Sequence, residues 1–195
     1  MNAAIIDAAI NYIEQLFQGN SGGHDAGHSV RVYRLAMQIA ENEKDCDKTV
    51  VALAALLHDV DDYKLFNTTG NANARAFMVS QGIGQEAAEK VIEAINSVSF
   101  SKNGLKRPST IEGMIVQDAD RLDALGAVGI ARTFAYGGEH GRSIESTIEH
   151  FHKKLLLLKD GMNTETARKL AESRHAFMEE FLKRFESESR DQLPM

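Results

Sequence analysis

The chain has 195 residues, 43% of them hydrophobic, which is enough to bury one sizeable core without requiring a second domain. Its 28 acidic and 22 basic residues give a formal charge of −6, which opposes sequence-independent binding to nucleic acid. The single cysteine excludes an internal disulfide, and no apolar run is long enough to span a membrane. The N-terminal segment also lacks the basic start of a signal peptide. We therefore expect one cytoplasmic domain, residues 1–195, that binds neither nucleic acid nor membranes.

The first half of the chain has the hydrophobic periodicity of helices rather than of strands. Gly-rich and Asn-rich turns separate the periodic segments. The predicted helices cover about residues 3–18, 25–43, 47–58, 72–81 and 85–97. The third is apolar through VVALAALL, which predicts a central position in the fold.

The second half continues the helical pattern. Pro108 is expected in the first turn of a helix that continues to about Asp123. Gly126 and Gly129 follow in a segment where close helix contact is the expected reason for them. The sequence GGEHG, residues 137–141, predicts a flexible loop. Two charged helices, about residues 145–159 and 164–186, complete an all-α bundle.

The second predicted helix places a histidine on its apolar stripe. His28 shares this stripe with Val32, Leu35 and Ile39, whereas Arg31 is assigned to a different face. His28 is therefore expected to point into the protein. His24 lies one turn earlier on the same stripe, at or before the start of the helix.

Acidic and imidazole side chains also lie next to apolar residues in two other segments. His58 and Asp59 follow the third helix, and such residues are rarely buried without a partner. One further helical turn would bring Asp62 toward the same site. Asp120 and Asp123, one turn apart, lie beside an apolar stripe, where a carboxylate is costly unless it is paired or bound to a cation.

Together, three separated segments resemble the HD phosphohydrolase superfamily, named for an adjacent His-Asp pair: HDAGHSVRV, AALLHDVDDYK and QDADRLDALGAVGIAR. They are similar to the bacterial subgroup of small HD hydrolases that includes nucleotide pyrophosphohydrolases. DADRLD is also similar to the metal-binding helix of guanosine tetraphosphate hydrolases. The resemblance covers about residues 24–136 and implies an all-α, single-domain helical bundle of the HD type.

The resemblance further implies a metal site. One divalent ion would be bound by His28, His58, Asp59 and Asp120, with positions left open for water and a substrate phosphate. Nitrogen and oxygen ligands with open positions favour manganese, iron or magnesium over a structural zinc, and manganese is our first choice. Asp62 aligns with the acidic residue that helps to activate water in the tetraphosphate hydrolases.

Several other residues are expected near the substrate. Lys64, Arg121 and Arg132 are the phosphate-binding candidates, with arginine favoured where the contact is bidentate. His24, which the subgroup shares, is expected to contact the substrate phosphate or to lie behind the metal ligands.

For two aspartates and four histidines, the sequence also suggests positions or roles outside the reaction. Asp123 is a candidate at the substrate, but Asp118 and Asp123 are equally expected to orient a ligand or an arginine. Four histidines are expected at the surface, the first of them alternatively in a substrate lid: His140, His150, His152 and His175.

The predicted function is metal-dependent hydrolysis of a small phosphorylated substrate, with a nucleoside triphosphate as the first candidate. A phosphodiesterase, a nucleotidase of the same fold and a nucleotide-binding regulatory module without turnover remain alternatives. HDAGH also resembles the HExxH motif of zinc proteases, but that interpretation leaves the other two segments unexplained. A homodimer stays open, because a terminal helix can pack within the chain or against a second copy.

Overall fold

The computed structural model describes residues 2–19, 25–99, 103–104 and 106–190, and no strand occurs among them. The predicted all-α fold is therefore confirmed. The helices are α1 (Ala3–Leu16), α2 (Ala26–Ala40), α3 (Lys48–Leu57), α4 (Ala72–Ser80), α5 (Gln85–Val98), α6 (Ile111–Asp123), α7 (Gly126–Glu139), α8 (Ile144–Lys153) and α9 (Glu165–Arg190). Within the described part of the chain, no helix is both long enough and apolar enough to cross a membrane.

Helix α3 lies at the centre of the bundle, as its apolar sequence predicted. Every residue from Val50 to Leu57 is buried, and the helix contacts α1, α2, α5 and α6. Asp47 caps its N-terminus by accepting hydrogen bonds from the backbone amides of Thr49 and Val50. The residues that follow the C-terminal end of α3 therefore lie in the interior of the bundle.

Helices α2 and α6 pack against α3 and against each other. The carboxylate of Asp25 caps α2 by accepting a 2.6 Å hydrogen bond from the backbone amide of His28. Thr110 caps α6 through the backbone amide of Gly113. Pro108 therefore lies before the helix rather than in its first turn, because the cap that starts α6 comes two residues later.

Helix α7 corrects the loop predicted at residues 137–141. It continues through Gly137 and Gly138 to Glu139. At Gly137, α7 approaches α8 too closely for a side chain. A Cβ atom at Gly137 would lie 2.6 Å from the hydroxyl oxygen of Thr147. At Gly129, a Cβ atom would overlap the carbonyl oxygen of Ala124, so this glycine is required by the turn that leads into α7 and not by contact with another helix.

The chain between α8 and α9 also differs from the prediction. Helix α8 ends at Lys153, and two short 3-10 turns, Leu155–Leu157 and Lys159–Gly161, replace the predicted last helical turns. Asp118 on α6 then accepts hydrogen bonds from the backbone amides of Asn163 and Thr164. This buried carboxylate fixes the segment at which α9 begins.

Candidate metal centre

Four side chains from α2, the end of α3 and α6 converge at one point. His28 Nε2 lies 3.2 Å from His58 Nε2 and 3.3 Å from Asp120 Oδ1. Asp59 Oδ2 lies 3.5 Å from His28 Nε2 and 3.4 Å from His58 Nε2. His58 Nε2 and Asp120 Oδ1 are 3.8 Å apart. The fold thus brings together all four residues that the sequence predicted as metal ligands.

In each of the two histidines, the hydrogen-bond partner of Nδ1 determines whether Nε2 presents a lone pair to the cluster. Nδ1 of His58 lies 2.8 Å from the carbonyl oxygen of Ala55, which can only accept a hydrogen bond. Nδ1 of His28 lies 2.8 Å from Asp123 Oδ2, also an acceptor. Both Nδ1 atoms therefore carry hydrogen, and in the neutral rings both Nε2 lone pairs point at the cluster.

These donor atoms have the spacing that a metal ion requires. Donor atoms about 2.1 Å from an ion lie about 3.0 Å apart at right angles and about 3.4 Å apart at tetrahedral angles. His28, His58 and Asp120 each offer one such atom, and the three atoms lie within 4.8 Å of one another. Asp59 Oδ2 adds a fourth at 3.4 and 3.5 Å from the histidine nitrogens. Two nitrogens and two carboxylate oxygens fit a divalent ion.

The electrostatics of the cluster favour a positive charge at its centre. Burial opposes protonation of His28, but hydrogen bonds to Asp120 and Asp123 and the charge of Asp59 raise its pKa to about 9. Burial likewise opposes ionisation of Asp120, yet the hydrogen bond from His28 and the neighbouring His58 lower its pKa. The carboxylates therefore favour a cation at the point where the Nε2 atoms meet.

Asp123 lies behind His28, away from the cavity. Its side chain is 2% exposed and is held by His28 and by two arginines, Arg31 and Arg132. Burial opposes its ionisation, but the hydrogen bonds from His28 and Arg31 and the charge of Arg132 hold its pKa well below the usual range. This arrangement favours the predicted alternative in which Asp123 orients a ligand. Arg31, which the sequence interpretation assigned to another face, is part of this support.

A cavity of about 370 Å³ opens beside the four donors, within the size range of small-molecule sites. Asp62 and Lys64 both line it, as predicted, and Asp62 Oδ1 accepts a 2.8 Å hydrogen bond from the backbone amide of Lys64. Asp61 lines it too, but its two oxygens accept the backbone amides of Asn73 and Ala74 and so cap α4.

Arg121 and Arg132 also line the cavity, although their guanidinium groups have protein partners. Arg121 is 3% exposed and donates to the carbonyl oxygens of Gly161 and Gly104. Arg132 donates to Asp123. These hydrogen bonds link Arg121 and Arg132 to other parts of the cavity lining. Phosphate binding by either arginine stays a prediction.

Other residues at the cavity carry no recognisable sequence motif. Tyr136, Arg142, His150 and Lys154 line it from the side of α7 and α8. His150 is half-buried there, so the prediction that it lies at the surface is wrong. The same prediction is wrong for His175, which is 9% exposed. His140 and His152 are exposed as expected, and His24 lies outside the described residues.

Comparisons with known proteins agree with this geometry. A family model described as the HD domain matches residues 25–125, more than half of the chain. The protein YpgQ of Bacillus subtilis (strain 168) is 45% identical over 185 residues, which cover 91% of this chain and 90% of that protein.

Solved structures of similar proteins have the same fold. The crystal structure of Bacillus subtilis YpgQ in complex with ADP matches with a TM-score of 0.80 and 42% identity, covering 94% of this chain and 97% of that one. An HD-superfamily hydrolase from Bacillus thuringiensis matches with a TM-score of 0.79 and 37% identity, covering 97% and 99% of the two chains. The chain therefore belongs to the HD domain family of metal-dependent phosphohydrolases.

Proposed function

We propose that this phosphohydrolase acts on nucleoside triphosphates and releases pyrophosphate, with one manganese ion bound by His28, His58, Asp59 and Asp120. The observation that carries the proposal is the juxtaposition of the four donors with an open cavity. A structural metal site would be enclosed by its ligands, whereas Asp120 keeps 27% of its side chain exposed beside the cavity.

Nucleotide binding is the second part of the proposal. It is supported by YpgQ, a protein that is 42% identical in its structurally matched region and whose crystal structure is in complex with ADP. The lining of the cavity also combines the carboxylates of the donor cluster with cationic side chains, which suits a metal-bound polyphosphate.

The chain's own residues would divide the reaction between them. A bound divalent ion supplies Lewis-acid chemistry, lowering the pKa of water and neutralising charge on the phosphoryl oxygens. Asp62 accepts a proton from the attacking water, and Lys64 holds a substrate phosphate. Attack at the α-phosphorus forms the new bond from the water oxygen and breaks the bond to the α,β-bridging oxygen, so that pyrophosphate leaves.

Product identification tests this reaction. Purified protein with manganese is incubated with each common nucleoside triphosphate, with nucleoside monophosphates and with a cyclic nucleotide, and the products are identified by mass analysis. We expect triphosphates to give the monophosphate and pyrophosphate. Release of orthophosphate, preferred cleavage of the monophosphates or cyclic nucleotide, or intact nucleotides with all substrates would contradict the proposal.

The role of Asp62 is tested against its neighbour Asp61. Asp62→Asn removes the proposed proton acceptor, so kcat is expected to fall by roughly 100-fold or more at little change in bound manganese. Asp61→Asn is the matched control, because it removes a neighbouring carboxylate that caps α4 instead of the proposed proton acceptor. It is expected to lower the free energy of unfolding by about 1 kcal/mol. Equal kcat values for the two variants would rule out the proposed role of Asp62.

A further inference from the structure

The lining of the cavity beside the donor cluster includes basic side chains from the chain after residue 125, beyond the segment that the family model matches. We call Arg142, His150 and Lys154 the basic wall. Arg142 precedes α8, His150 lies in its last turns, and Lys154 follows its end. Because all three line the same cavity as Asp120, a substrate anchored at the donor cluster would extend toward them.

Arg142 differs in its contacts from the two arginines that the sequence proposed for phosphate. The guanidinium groups of Arg121 and Arg132 are bound to backbone carbonyls and to Asp123, respectively. Among the described residues, the Arg142 side chain donates no hydrogen bond to another residue. Its guanidinium instead lies over the ring of Tyr136, 5.1 Å from the ring centre.

The stacking of Arg142 prepares it for an anion. A cation over an aromatic ring is restrained through its flat face, and the N–H groups in the guanidinium plane stay available for two parallel hydrogen bonds. Tyr136 is itself held by His140, whose ring stacks on it at 3.9 Å. The backbone amide of Arg142 also donates a 2.8 Å hydrogen bond to Gly137. The guanidinium is therefore positioned before a ligand arrives.

The charges of Arg142 and Lys154 act on the imidazole of His150. Burial lowers the pKa of His150, and the charges of Lys154 and Arg142 lower it further. Burial also lowers the pKa of Lys154, while Asp120 opposes and Lys64 reinforces that effect. Because the charge of Lys64 disfavours the charged form of Lys154, a bound anion would offset that repulsion.

We propose that Arg142 and Lys154, assisted by His150, bind the phosphates of the substrate that leave as pyrophosphate. This inference rests on the proposed function for the identity of the substrate. According to this inference, residues of the α7–α8 region, and not the metal ligands, select a polyphosphate chain over a single phosphate. A chain of phosphates offers one group to the donor cluster and further groups to the two cations, whereas orthophosphate offers a single group.

Calorimetric titration of inorganic pyrophosphate and orthophosphate tests the proposal without turnover. The protein is loaded with manganese, and the metal concentration is matched in both solutions. We expect Arg142→Gln and Lys154→Gln each to weaken pyrophosphate binding by roughly tenfold or more, with orthophosphate binding changed less than about twofold. Lys153→Gln is the matched control, since Lys153 is 68% exposed and ion-paired with Glu149.

The outcomes separate this inference from the proposed function. Weaker pyrophosphate binding in the two variants supports the inference even if the wild-type protein leaves every nucleotide intact. Intact nucleotides would contradict only the proposed reaction. Pyrophosphate affinity unchanged in both variants, or reduced as much by Lys153→Gln, overturns the inference whether or not nucleotides are hydrolysed. Thermal unfolding of each variant verifies that all the proteins compared are folded.

Discussion

Two buried aspartates of α6, Asp118 and Asp123, lie in opposite electrostatic surroundings. Asp118 is 0% exposed, and its oxygens accept hydrogen bonds from the uncharged backbone and side chains of Asn163 and Thr164. Asp123 is 1% exposed and faces His28, Arg31 and Arg132. Burial is thus the same, but of these two carboxylates only Asp123 forms ion pairs among the residues that the structure describes.

The two pKa shifts follow from this difference. Burial raises the pKa of Asp118 despite the hydrogen bonds from Asn163 and Thr164. Burial acts in the same direction on Asp123, but His28 and the arginines overcome it and lower its pKa. One carboxylate on α6 therefore anchors α9, and the other orients a histidine of the donor cluster. Residue type and burial alone do not reveal which role an aspartate has.

The largest expected effect is that of Asp123→Asn. Loss of the charge leaves two arginines without their shared carboxylate and weakens the orientation of His28. We expect manganese affinity to fall by roughly 10- to 100-fold and the free energy of unfolding to fall by about 3 kcal/mol. Metal titration and urea unfolding measure the two effects. Unchanged manganese affinity in this variant would break the comparison.

Asp118→Asn should affect stability alone. An amide presents a donor where the carboxylate accepted hydrogen bonds from Thr164, so the start of α9 is expected to lose about 2 kcal/mol of unfolding free energy. Manganese affinity should stay within about twofold of wild type, since Asp118 contacts none of the four donors. A large loss of metal binding in a folded Asp118→Asn protein would show that the two carboxylates are not functionally separate.

Arg31→Gln removes one of the cations at Asp123. Because the Arg31 side chain is 33% exposed and Arg132 remains, the expected loss of unfolding free energy is about 1 kcal/mol. Manganese affinity is expected to fall only a few-fold. Arg34→Gln, on the exposed side of α2, is the control. If Arg31→Gln and Arg34→Gln unfold at the same urea concentration, the assigned support of Asp123 by Arg31 is incorrect.

The smallest effect concerns the pH dependence of stability near and below the ordinary aspartate value of 3.8. Asp123 has a lowered folded pKa, so its stabilisation is present above 3.8 and is lost as the pH falls toward the folded value. Asp118 has a raised folded pKa, so acidification through that pKa favours the folded state.

The two asparagine variants should therefore change the acid slope of stability in opposite directions. Below about pH 5, unfolding free energy should fall more steeply than in wild type for Asp118→Asn and less steeply for Asp123→Asn, by at most about 1.4 kcal/mol per pH unit. Urea unfolding at a series of pH values measures this. Equal slopes in all three proteins would contradict the opposite pKa shifts.

Local signals predicted part of the donor cluster: His28 lies on an apolar stripe, and His58 and Asp59 end a fully apolar helix. The complete set of four ligands came from the resemblance of three separated segments to the HD phosphohydrolases. The bounds of α3 were predicted to within one residue at each end, since Asp47 provides a capping side chain. No single-sequence pattern identified the basic wall, which depends on how α7 and α8 pack.

The incorrect predictions have physical causes. GGEHG has the composition of a loop, but its first three residues continue α7, where Gly137 leaves room for the Thr147 hydroxyl. His175 was assigned to the surface because its helix is charged, although its position continues the apolar stripe formed by Ala171 and Met178. Arg31 lies three residues after His28, close enough around α2 to reach the same carboxylate.

Metal content tests the central claim most directly. Wild-type protein, His58→Ala and Asp120→Asn are stripped of metal, incubated with manganese, desalted and analysed for bound metal, with the exposed His152→Ala as control. We predict one manganese per chain in the wild-type and control proteins and almost none in the two cluster variants. Equal manganese content in His58→Ala, Asp120→Asn and the wild-type protein, all folded, would contradict the assignment of these residues as ligands.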